Sequence, residues 1–132
     1  MLIGTAVLAS VLTVPSASAD GPSEIYLGKR SGTMTLGGLP QKVKWVDKQY
    51  RSTSLPNLRE HTIRVTFDGC ASWRGRAAVK RGNHYDTDEK SAKGCKKSIV
   101  IQPNGDMRAN VTLTVHREPG DISASTVIKP VT

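Results

Sequence analysis

From Thr62 to Asp68 the apolar residues Ile63, Val65 and Phe67 alternate with Arg64 and Thr66. That two-residue period belongs to a strand with one face in a core and the other in water. The same spacing recurs at Trp73 to Lys80, where Trp73, Gly75, Ala77 and Val79 share one side, and at Ala109 to Arg117, where Val111, Leu113 and Val115 do. Shorter matches occupy Ile25 to Leu27, Thr33 to Leu36, Lys42 to Val46, Ser98 to Gln102 and Ser125 to Lys129. The turn-forming run Pro103-Asn104-Gly105-Asp106 between two of them predicts a hairpin joining 98–102 to 109–117.

No segment beyond residue 20 keeps a helical period, and Thr and Val are frequent there. The expectation is an all-β domain, a small antiparallel β-sandwich or barrel of about seven strands. Two stretches read as loops: Gln49 to Asn57, and the polar, charged Arg81 to Lys97.

The first residues follow another pattern. Met1 to Ala19 carries no charge, is apolar or small from Leu2 to Val14, breaks at Pro15 and ends in Ser16-Ala17-Ser18-Ala19. Small residues at Ala17 and Ala19 suit signal-peptidase cleavage, so residues 1–19 are expected to be a signal peptide and 20–132 the mature secreted domain. The apolar run is shorter than the roughly 20 residues that span a bilayer, and no cysteine sits at the cleavage point for lipid attachment. A released, extracellular product without a transmembrane anchor follows. The usual positive charge before the apolar run is missing, which raises the expectation of a longer start.

Export changes how the two cysteines are read. Cys70 and Cys95 are the only pair available, and in an oxidising compartment they are expected to form one disulfide. The loop it closes, about 25 residues, sets a contribution of roughly 3 kcal/mol through the unfolded state.

Charge adds a direction. The chain has a net charge of +8, and the excess lies before residue 98: residues 61–97 alone hold nine basic and four acidic side chains. Strand phase turns Lys42, Lys44, Arg64, Arg74, Arg76 and Lys80 away from the core, to form one basic sheet face continued by Lys90, Lys93, Lys96 and Lys97 in the loop. Such a face attracts an anionic polymer or an acidic protein surface. Trp45 and Trp73 read as core, and with Phe67, Tyr26, Tyr50 and Tyr85 the only other aromatics, sequence-specific nucleic-acid recognition is not expected.

Candidate chemistry is sparse. There is no HExxH, GxSxG, CxxC or Walker-type loop, and no metal or cofactor is expected. His61, His84 and His116 read as surface residues; a nuclease would need two of them beside Glu60 and one of Arg64, Arg74 or Arg76. A third class, protease inhibition, would present Lys80, Arg81 or Lys93 from a loop held by the disulfide. The oxygen-rich run Asn83 to Glu89 lacks the glycine and distal glutamate of an EF-hand. The leading expectation is a secreted, non-enzymatic binding protein using the basic sheet face and the loop 81–97.

Overall fold

The computed structural model describes residues 24–38 and 42–132; the expected signal peptide lies outside them. The described residues form nine strands and no helix: β1 (Glu24–Thr35), β2 (Lys42–Ser52), β3 (Leu58–Phe67), β4 (Cys70–Arg81), β5 (His84–Cys95), β6 (Ser98–Ile101), β7 (Asn104–Asp106), β8 (Val111–Glu118) and β9 (Ile122–Ile128). Accordingly, none of them lies in a helix long and apolar enough to cross a membrane. A five-stranded sheet runs β1-β2-β3-β6, with β7 pairing the start of β3, and a four-stranded sheet runs β9-β8-β4-β5. Every pairing is antiparallel.

The two sheets meet over one sandwich-like core, because period-two alternation gives each an apolar side that water would otherwise cover. Val43 and Trp45 of β2, Ile63, Val65 and Phe67 of β3, and Ile99 and Ile101 of β6 are buried on one sheet. Trp73, Ala77 and Val79 of β4 and Val111, Leu113 and Val115 of β8 are buried on the other. Phe67 and Trp73 stack across the interior with ring centroids 4.7 Å apart and planes within 6°. Cys70 and Cys95 are register partners at the open end of the β4-β5 hairpin and form the expected disulfide.

Nine strands replace the expected seven or so for two main reasons. The stretch 81–97, expected as a loop, is largely strand β5 at the edge of its sheet, paired to β4 along its whole length. An edge strand needs one partner and tolerates charge, which also discourages further pairing. Its carboxylates do more than face water: Asp88 accepts the Gln102 amide at 2.8 Å and Asp86 the Asn104 amide at 2.7 Å, tying β5 to the opposite sheet. Burial pushes the Asp88 carboxyl up, but the Gln102 amide and the Lys90 ammonium outweigh it and hold the group below its usual range.

The second reason is that residues 98–102 and 109–117 are not a hairpin. β6 pairs with β3, whereas β8 lies between β4 and β9 in the other sheet. The Asn104-Gly105 signal belongs to β7, and Gly105 is needed for close approach rather than for a turn. A Cβ there would stand 2.4 Å from a Val79 methyl and 2.7 Å from the Lys80 carbonyl oxygen. β2 also runs on to Ser52, shortening the expected loop at 49–57, and β1 joins two short segments into one strand.

Candidate functional site

The outer face of the five-stranded sheet is set by β2, whose outward residues read Lys42, Lys44, Val46, Lys48 and Tyr50. At about 3.4 Å per residue this row is about 27 Å long. β1 lies alongside, with Thr35 opposite Lys42, Thr33 opposite Lys44, Ser31 opposite Val46, Lys29 opposite Lys48 and Tyr26 opposite Tyr50. On the other flank β3 places Thr66 beside Lys44, Arg64 beside Val46 and Thr62 beside Lys48. Tyr26 and Lys29 face the same way despite their odd spacing because a β-bulge between Tyr26 and Gly28 shifts the register, with Gly28 at φ 138°.

Three shallow hollows line this face. One of about 530 Å³ is bordered by Lys42, Lys44, Thr66 and Lys96; one of about 320 Å³ by Val46, Lys48, Thr62, Arg64 and Val100; one of about 460 Å³ by Tyr26, Lys29, Lys48 and Tyr50. None of Lys29, Lys42, Lys44, Lys48, Arg64 or Lys96 pairs with a carboxylate among the described residues. Among the described residues, carboxylates stand at its ends: Asp68 borders the first hollow, and Glu60, hydrogen-bonded to Glu24, lies opposite Tyr50.

Of the ten cations expected to share one face, Lys90 of β5 pairs with Asp88 at 3.1 Å and Lys97 is exposed just after β5, while the other eight divide between two faces. Lys42, Lys44 and Arg64 lie on the face just described, and the turn after β5 brings Lys96 to it. Arg74, Arg76 and Lys80 of β4 and Lys93 of β5 are exposed on the four-stranded sheet instead. Their phase within each strand is as expected, but β3 and β4 belong to different sheets, the chain crossing over at Asp68-Gly69 with Gly69 at φ 104°. The second face is mixed in charge. Arg74 pairs with Glu89 at 3.8 Å, and a hollow of about 370 Å³ there holds Arg74, Lys93, His116 and Glu118. Lys29 and Lys48 were absent from the expected set: Lys48 lay between the expected strand 42–46 and the expected loop 49–57, and the bulge hides the phase of Lys29.

The histidines do not converge. His61, expected at the surface, is 1% exposed and faces inward, with Nδ1 2.8 Å from Asp47 Oδ2. Gln49 donates to the same Asp47 oxygen at 3.0 Å and to the Lys129 carbonyl at 3.1 Å, while its own oxygen accepts from Arg59 at 2.9 Å and from the Val131 amide at 2.9 Å. This polar half of the β2-β3 inner face packs the chain's last residues onto the sheet. His116 lies on the outer side of β8, contacting Ser123 and Glu118 at 2.8 Å and Asp121 at 3.3 Å. His116, Glu118 and Asp121 are the described residues whose donor atoms cluster within 4.8 Å, and two exposed carboxylates on an imidazole equally make a polar contact closing a hairpin. His84 starts β5 and is exposed.

The nuclease arrangement of two histidines with Glu60 is therefore not assembled. Nor does a reactive loop protrude: Lys80 and Arg81 pair with Tyr85 and His84, and Lys93 with Ser72, inside the sheet. Asp86 and Asp88, part of the oxygen-rich run, are committed to backbone amides.

Glu60 carries the one large titration shift, pushed up to about 7 by its hydrogen bond to the Glu24 side chain, then by burial and by the charge of Glu24. Between the ordinary carboxylate value of 4.5 and about 7 the folded protein holds a proton that the unfolded chain has lost. Stability from this group therefore falls as pH rises through that window and stays lower above it. Glu60→Gln is expected to flatten this slope and to raise stability at pH 8 by about 1 kcal/mol, allowing for solvent screening of a mostly exposed pair. Urea denaturation from pH 4 to 8 measures it; equal slopes for both proteins would refute the shared proton.

No family model matches the chain, and comparison with curated proteins and with solved structures found no match.

Proposed function

We propose that the chain is an exported, non-enzymatic binding protein that holds an extended anionic polymer on the outer face of its five-stranded sheet. The observation that carries this is the register pair Lys29 and Lys48. Like charges directly opposite on one sheet face oppose folding, and here no described carboxylate relieves them. With Lys44, Lys42, Lys96 and Arg64 they make a track whose charge serves a ligand better than it serves the fold. An exported setting agrees with the Cys70–Cys95 disulfide and with the leader-like residues 1–19.

Binding of inorganic polyphosphate across a salt series tests it. Affinity should fall linearly on a double-logarithmic plot, with a slope of about −3 for four neutralised charges, taking the single-strand coefficient of roughly 0.7 per contact. Lys44→Gln with Lys48→Gln should make that slope about 1.4 units shallower. Arg74→Gln with Arg76→Gln, on the opposite face, should leave it unchanged. Absence of binding at low salt, or equal losses in the two double variants, overturns the proposal.

A further inference from the structure

We infer that the polymer taken by this face is a single-stranded nucleic acid, with bases against Tyr26 and Tyr50 and phosphates on Lys29, Lys48 and the lysines further along β2. The inference rests on the preceding proposal and adds the ligand's class. Its ground is the hollow of about 460 Å³ bordered by two tyrosines and two lysines. Tyr26 is 54% exposed, so its ring is open to a ligand. Its centroid lies 5.4 Å from that of Tyr50 with the planes tilted by 55°, so the rings touch without covering each other's faces.

The β-bulge is what turns both Tyr26 and Lys29 outward, opposite Tyr50 and Lys48. One small surface thus offers aromatic faces and ammonium groups side by side, and the ammonium row continues away from it through Lys44 and Lys42. A ligand complementary to that order carries a flat ring and an anion on each repeat. Polyphosphate has the anion alone. A duplex keeps its rings stacked inside, and among the described residues this sheet face raises no helix or ribbon to enter a groove. A single strand presents both, and stacking on tyrosine accepts any base.

The test compares three probes at one salt concentration on the full chain: oligothymidylate, an abasic oligonucleotide of the same length and charge, and heparin. Oligothymidylate should bind about tenfold or more tighter than the abasic strand. Tyr26→Ala with Tyr50→Ala should erase that difference while leaving abasic binding within about twofold. If oligothymidylate and the abasic strand bind the unaltered protein alike, the nucleic-acid inference falls and the polyanion proposal survives. Heparin binding that exceeds oligothymidylate and depends on the tyrosines overturns the inference in favour of an anionic glycan. If no probe binds, both fail. The comparison of probes on the unaltered protein needs no variant to fold.

Discussion

Asp47→Ala is expected to cost about 3–5 kcal/mol of stability, the range for removing one partner from a buried polar pair. Asp47 Oδ2 accepts from both His61 Nδ1 and Gln49 Nε2. Without it His61 has no acceptor, since its Nε2 is already without a partner, and the Gln49 Nε2 is left with the Lys129 carbonyl alone. Both side chains are closed to water, so each lost bond leaves a desolvated group. The effect should reach the end of the chain. Gln49 also accepts the Val131 amide, and Arg30 donates to the Pro130 carbonyl at 3.1 Å, so the amides of Lys129 and Val131 should lose protection in hydrogen exchange before β9 does. The double variant Asp47→Leu with His61→Leu should recover a large part of the loss, because removing both polar partners leaves little unpaired. Urea denaturation gives the comparison. If the double variant is as unstable as the single one, the network is not what holds this end together.

Trp73→Ala is expected to remove about 3–5 kcal/mol, and with it about 15 °C or more in Tm. Trp73 is 1% exposed and stands on β4, while the Phe67 ring it stacks on belongs to β3 of the other sheet. The cavity would open where the two sheets meet, and the Arg117 guanidinium, 5.8 Å from the indole centroid, would lose its aromatic neighbour. Trp73→Phe should lose markedly less, as it keeps a stacked ring. Calorimetry would show whether unfolding remains one transition. A loss below about 1 kcal/mol would mean that the sheets are joined elsewhere.

Both variants act on inward-facing residues, yet only one was legible beforehand. Trp73 sits in a strand whose apolar members recur every second residue, and its burial follows from that spacing. Asp47 and His61 obey the same parity: β2 buries Val43, Trp45, Asp47 and Gln49, and β3 buries Arg59, His61, Ile63, Val65 and Phe67. Their inward position was readable from phase, but polarity argued for the surface. What decided it was a set of partners from distant positions, the Met107 carbonyl on Arg59 and the 129–131 backbone on Gln49. β5 shows the converse. Its composition reads as loop because an edge strand owes its form to the backbone of β4 rather than to its own side chains.

The surface divides along the same line. Residue order alone established an all-β domain, the phase of the clearest strands, the Cys70–Cys95 pairing and the outward aim of each predicted cation on β2, β3 and β4. Those properties depend on neighbours one or two positions away or on a choice with a single solution. Only the tertiary structure decided that Lys42, Lys44, Lys96 and Arg64 share a face with Lys29, Lys48 and two tyrosines, while Arg74, Arg76, Lys80 and Lys93 lie on the other sheet. Side-chain alternation is local backbone geometry, whereas sheet membership is a competition among strand pairings over long separations. No local spacing records which pairing wins.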